Sequence, residues 1–182
     1  MEMVKKKKNN DIMLDLETLG TRHDSVITQI GACYFDRHTA KIGKTLLVNV
    51  EINSSLERGM TVTGGAIKFW VERGENATFL EKPERITLAL AKVSDFMKKK
   101  KKAIIWCHST FDAIILANAY YAIGQGLPYS YRAIRDIRTL VDLSGVKREK
   151  SAGDPKTHDA LEDCIYQVGY CCECFKGLEE KK

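Results

Sequence analysis

Ile12, Leu14 and Leu16 alternate with Met13, Asp15 and Glu17, the period of a β-strand with two unlike faces. Asp15 and Glu17 then point the same way. Val26 to Phe35 and Lys44 to Val50, rich in β-branched and apolar residues, predict two further strands, and the turn-prone stretch Asp36 to Gly43 between them makes a meander. Gly64 to Glu72 has helical character. Pro83 suits the first position of a helix that carries Ile86, Leu90, Val93 and Met97 at spacings of three or four. Ala103 to Cys107 predicts a short strand, and Phe111 to Ile123 a helix closed by Gly124 and Gly126, with Asp112 at its start. An extended piece around Ala133 to Asp136 leads into a helix near Thr139 to Leu143. The last helix is expected to begin near Thr157, with an apolar stripe of Leu161, Cys164, Ile165, Val168, Cys171, Cys172 and Phe175.

A meander followed by alternating helices and strands predicts an α/β domain, a mixed five-stranded sheet flanked by helices, and not a bundle or sandwich. The 182 residues, 44% of them apolar, suit one such domain. Its expected span is residues 11–176, between a basic tail at 1–10 and a polar end at 177–182. The net charge of +5 changes meaning once it is located. Nine lysines lie in two runs, Lys5 to Lys8 and Lys98 to Lys102, and without them the remainder stands at −4. The runs read first as solvated segments and only second as phosphate contacts.

Six cysteines do not form a disulfide framework in this reading, because three of them fall within four residues of one predicted helix. Cys171 and Cys174 resemble half a zinc site, but no second pair completes it. Free thiols and a cytoplasmic location are the expectation. No apolar run approaches the roughly 20 residues needed to cross a bilayer, so no membrane association is expected.

Three separated segments offer acids: Asp15 and Glu17 on the first strand, Asp112 after a later strand, and Asp163 five residues beyond His158. Each alone is unremarkable; together, on one sheet face and two helix ends, they can meet at one spot. Two carboxylates ~4 Å apart repel by about 4 kcal/mol at an effective dielectric of ~20, so such a cluster calls for cations. Oxygen donors select Mg²⁺ or Mn²⁺ over zinc.

The segments Asp15-Leu16-Glu17-Thr18-Leu19-Gly20, His108-Ser109-Thr110-Phe111-Asp112 and His158-Asp159-Ala160-Leu161-Glu162-Asp163 resemble, in order and spacing, the three motifs of the DEDDh (DnaQ-like) 3′–5′ exonuclease superfamily, which has a ribonuclease-H-like fold. Ala66 to Trp70 and Arg135 to Thr139 are similar to the group of exonuclease VIII, phage DexA-type enzymes and small bacterial exoribonucleases. The resemblance implies two metal ions, with Asp15 bridging both, Glu17 and Asp163 completing the shell of the first ion and Asp112 holding the second, partly through water. It implies His158 as general base, the Thr18 backbone meeting the terminal 3′ hydroxyl, Leu19 wedged beside the terminal base, and a small Ala160 that lets His158 and substrate approach. His108 stands where many relatives carry Asn, which makes it a candidate substrate contact. Asp136 and Arg138 could reach the site or form a surface ion pair.

The expected substrate is single-stranded nucleic acid or a 3′ overhang, DNA or RNA, released as nucleoside monophosphates. Tyr120 and Tyr121 could supply a homodimer interface or simply pack the core. Two other readings share the fold: a binding module that has lost turnover, which would lack a ligand, and a ribonuclease-H-type endonuclease, which would lack the H-x-A-x-x-D ending.

Overall fold

The computed structural model describes residues 11–73, 78–98, 103–146 and 158–180. Five strands, β1 (Asp11–Thr18), β2 (Ile27–Phe35), β3 (Ile42–Asn49), β4 (Ile104–Cys107) and β5 (Ile134–Asp136), form one sheet in the order β3-β2-β1-β4-β5. β1 pairs antiparallel with β2 and parallel with β4, and β4 pairs parallel with β5. The expected mixed sheet is therefore present, with β1 at its centre.

Both faces of β1 are covered, so its alternation does not separate water from core. Ile12, Leu14 and Leu16 enter a cluster with α3 (Ile86–Lys98) and α4 (Ile114–Ala122). Met13 enters a second cluster with α5 (Ile137–Ser144) and α6 (Ala160–Glu180). Asp15 and Glu17 share the face of Met13, and every residue of β1 is buried. A short helix α1 (Ile52–Leu56) and α2 (Gly64–Arg73) complete the helical set among the described residues.

Several expected boundaries move, each for a local reason. Pro83 does not open α3, which starts at Ile86: Glu84 instead bridges to Val50, with Glu84 N donating to Asn49 O at 2.9 Å, and the Ser54 hydroxyl accepts from Ile86 N at 2.8 Å. The helix expected from Phe111 begins as a π-helical turn, Ser109–Ala113, before α4 proper. α5 starts at Ile137, where Asp136 caps it by accepting from Thr139 N at 2.8 Å, and Gly145 ends it at φ 69°. α6 starts at Ala160 and runs through the expected polar end as far as Glu180. Thr157, residues 1–10 and the lysines from 99 to 102 lie outside the described residues.

Tyr120 is a core residue, its hydroxyl donating to Leu90 O at 2.9 Å, whereas Tyr121 is exposed.

Gly31 sets how close α6 can come to the sheet. It lies opposite Asp15 in the β1–β2 register, and a Cβ there would overlap the backbone of Ala160 and Leu161. Gly31→Ala is expected to cost roughly 1–3 kcal/mol of unfolding free energy by overpacking. Gly169→Ala on exposed α6 surface, where a Cβ meets nothing within 4 Å, should instead stabilise by about 0.5–1 kcal/mol. Denaturant titration of the two variants checks this, and like-signed changes would refute the close approach.

Candidate active site

β1 and β4 run parallel, so the chain leaves both at the same end of the sheet. There Asp15 and Glu17 stand two residues apart on one face of β1. β4 delivers His108 and the π-helical turn that holds Asp112. Asp112 is fixed by its own turn: His108 N donates to Asp112 Oδ2 at 2.8 Å. That turn is tied in turn to β5 and α5, because Asp136 accepts from Ser109 N at 2.9 Å and Ser109 Oγ at 2.8 Å. Asp136 thus serves as a cap and a strut. Partial burial pushes its carboxyl up, but the hydrogen bonds from Thr139 and Ser109 outweigh this and hold it near about 2.

The third segment enters from β2. Gln29, opposite Glu17 in register, accepts from Ala160 N at 2.7 Å through Oε1, while its Nε2 donates to Asn49 Oδ1 at 2.9 Å. Asp159 caps α6, accepting at Oδ1 from Leu161 N at 3.0 Å and Glu162 N at 3.1 Å. The cap is therefore Asp159 and not His158. His158 sits just before it at φ 48°, a left-handed conformation uncommon outside glycine and a form of strain met at functional sites. Its ring packs edge-on against Phe69 at 5.0 Å and Trp70 at 6.0 Å between centroids. One turn beyond Asp163, Gln167 donates from Nε2 to Asp15 Oδ1 at 2.7 Å.

These elements bring all five expected residues together, in two groups. Potential ligand atoms of Glu17, His158 and Asp163 lie within 4.8 Å of one another, and so do those of Asp15, His108 and Asp112. His158 Nδ1 is 3.8 Å from Glu17 Oε1. A cleft of about 370 Å³ opens beside Glu17 and Thr18, walled by Gly20, Phe69, Trp70 and Phe111. Leu19 sits in the core cluster, with its N–H donating to Val26 O at 2.9 Å, and does not line this cleft. Ala160 is fully buried, and its backbone lies against Gly31.

Burial dominates the electrostatics. It pushes Asp15 well above the usual carboxylate range, with Asp112, Glu17 and Asp163 adding repulsion and the Gln167 hydrogen bond opposing. Burial and the charge of Asp163 raise Glu17 to about 9. Asp112 is raised by burial to about 7, against hydrogen bonds from backbone N–H groups and the charge of Arg138. The charge of Arg138 opposes the rise at Asp112, while Asp136, two residues earlier in the chain, caps α5 and braces the turn. Asp11, on the same face of β1, makes a useful contrast: Arg37 Nε donates to Asp11 Oδ2 at 2.8 Å, giving that acid a cation of its own. The hydrogen-bond partner of Asp15 is a neutral amide.

Gln29 and Gln167 went unread in the sequence, since an amide on a strand or helix gives no spacing signal. In hindsight Gln167 lies four residues after Asp163, on the same helix face.

The fold matches that of exonuclease I. An apo exonuclease I structure is 17% identical with a TM-score of 0.66, the match covering 93% of this chain and 42% of that one. E. coli exonuclease I in complex with a dA16 oligonucleotide is 14% identical with a TM-score of 0.72, covering 95% and 42%. The chain thus spans about two fifths of these proteins. No curated protein sequence matches it. The sheet and its flanking helices are the ribonuclease-H-like fold of these structures. The chain belongs to the Rv2179c-like 3′–5′ exoribonuclease domain family, which it matches over residues 10–175.

A raised carboxyl pKa means the native state holds a proton that the unfolded chain gives up near its ordinary value. The contribution of these two acids in the metal-free protein should therefore be fully present below their ordinary carboxyl values and lost as pH rises through about 7 for Asp112 and about 9 for Glu17. Thermal unfolding of chelator-treated protein between about pH 6 and 9 should show the fall, with a shallower slope in Glu17→Gln. Saturating Mg²⁺ should flatten it. A stability that climbs over this window would contradict the burial of these acids.

Proposed function

We propose that this domain removes nucleoside monophosphates from the 3′ end of single-stranded nucleic acid, or of a 3′ overhang, with two divalent cations, Mg²⁺ or Mn²⁺, per active site. The observation that carries the reading is the pairing of two acid–histidine groups at the end of β1 with a cleft beside them. RNA is the substrate class in the family's description, while the E. coli exonuclease I structure is a complex with a dA16 oligonucleotide.

The residues suit hard cations. The donor set is rich in carboxylate oxygen, and Asp112 Oδ1 is buried with no hydrogen-bond partner. Asp15, Glu17 and Asp163 would hold one ion, and Asp15 with Asp112 the other. Bound there, the ions would offset the crowded carboxylates and stabilise charge developing on the phosphate oxygens.

The chain's own groups do the rest. His158 takes a proton from the attacking water, and its ring is held in orientation by Phe69, Trp70 and the neighbouring Glu17. Gln167 holds one oxygen of Asp15 in place. Phe69 and Phe111 offer apolar walls to a terminal base, and Thr18 lies at its edge. The terminal nucleotide must be unstacked to enter such a cleft, hence the preference for single strands.

Matched DNA and RNA oligonucleotides labelled at either end, digested with Mg²⁺ or Mn²⁺, test the reading. A 5′-labelled strand should yield a descending ladder, a 3′-labelled strand immediate mononucleotide, and a circular strand nothing. Cleavage of circles at the linear rate would favour the endonuclease reading.

Substitutions separate the roles. Asp15→Ala should abolish turnover while leaving the metal-free fold intact or more stable, since it removes one repelling carboxylate. His158→Ala should lower kcat by roughly 10² to 10⁴ with metal affinity little changed. Near-normal turnover in His158→Ala at neutral pH would remove it as the base.

A further inference from the structure

The two acid–histidine groups are unequal in what their carboxylates can supply. One holds Glu17 and Asp163 besides His158. The other holds Asp15, which the proposed function shares between both ions, and Asp112. Asp112 is nearly fully buried, and Oδ2 is already gripped by His108 N at 2.8 Å. Its Oδ1 has no hydrogen-bond partner. The second half of the site is thus short of oxygen donors from the protein, and a nitrogen donor stands beside it. His108 Nδ1 lies 3.8 Å from Asp112 Oδ2, and the ring is partly exposed.

The backbone carrying that ring is fixed on both sides. His108 O accepts from Phe111 N at 2.8 Å and from Asp112 N at 2.9 Å, closing the π-helical turn. The next residue, Ser109, is bonded through N and Oγ to Asp136. Such a frame fixes the backbone from which the imidazole projects beside Asp112.

Resting on the metal-dependent reading above, we propose that His108 is a ligand of the cation held by Asp15 and Asp112, and that it biases this half of the site toward Mn²⁺ over Mg²⁺. The bias follows from ligand chemistry. Mg²⁺ strongly prefers oxygen and keeps its waters, whereas first-row divalent ions accept imidazole nitrogen. His158, in the other group, remains the proton acceptor and not a ligand.

Pulsed electron paramagnetic resonance of Mn²⁺ bound to the whole protein reads a coordinating histidine nitrogen directly, without turnover. The wild type should show nitrogen modulation that persists in His158→Ala and disappears in both His108→Ala and His108→Asn. Mn²⁺ titrations should show the weaker-binding variants losing roughly tenfold or more at one of two sites. Mg²⁺ affinity, read by competition, should change much less.

The asparagine variant keeps a polar side chain at this position and guards against a folding failure in His108→Ala, with circular dichroism as the check. Two bound Mn²⁺ ions without nitrogen modulation, or modulation lost in His158→Ala instead, would overturn the assignment of His108 alone. Wild-type protein that binds no Mn²⁺ would overturn the metal-dependent reading as well.

Discussion

α6 can bring its first turn against the central strands only because β2 carries no side chain at Gly31. The Gly31 position is opposite Asp15, and the backbone of Ala160 occupies the space a Cβ would take. The rest of the site follows from that approach. Gln29, one step along the same face of β2, takes the N–H of Ala160, and Asp159 takes the next free N–H groups of the helix. His158 is then left at the mouth of the turn, in a backbone conformation that the packing on either side must hold. Further along α6, Gln167 reaches back to Asp15. A residue with no side chain thereby sets the distance between the first and third acidic segments.

Close approach carries an electrostatic cost. The far end of the same strand face shows how a buried acid is ordinarily accommodated: Asp11 is bonded to Arg37, whose guanidinium also lies over the Phe175 ring at 4.6 Å, and to the indole of Trp106. Asp15, Glu17 and Asp112 receive amides, backbone N–H groups and the more distant charge of Arg138. Burial raises all three carboxyls, Glu17 to about 9 and Asp112 to about 7. Acids arranged this way are poorly suited to stabilising the metal-free fold and well suited to binding cations, a division between stability and function that is common at active sites.

The parts of this arrangement legible in the sequence were those with a period or a spacing. Alternation in β1 put Asp15 and Glu17 on one side, and the acids of the later segments were legible through their motifs. The meaning of the alternation was not, because a strand covered on both faces and a half-exposed strand can share one pattern; only the packing of α3 and α4 on one side and α6 on the other separates them. Pro83 misled because a long-range bridge to Val50 outweighs the local preference for a helix start. Leu19, expected beside the terminal base, packs in the core cluster with its N–H bonded to Val26 O, an environment set by contacts outside its own motif. Gln29, Gln167 and the strut made by Asp136 depend on contacts between residues far apart in sequence, which no local window contains. His108 was read as a substrate contact, and the π-helical turn that aims it at Asp112 has no sequence signature.

The central claim is that the buried, crowded carboxyls hold protons that the cations displace, and proton release on metal binding measures this most directly. Titration calorimetry with Mn²⁺ near pH 7, repeated in buffers of different ionisation enthalpy, gives the number of protons lost as the sites fill. Glu17, raised to about 9, should be largely protonated beforehand, so saturation should release protons into the buffer. The release should shrink in Glu17→Gln. Saturation of the wild type with no proton release would mean the carboxyls were already ionised, and the buried, charge-crowded site described above would be wrong.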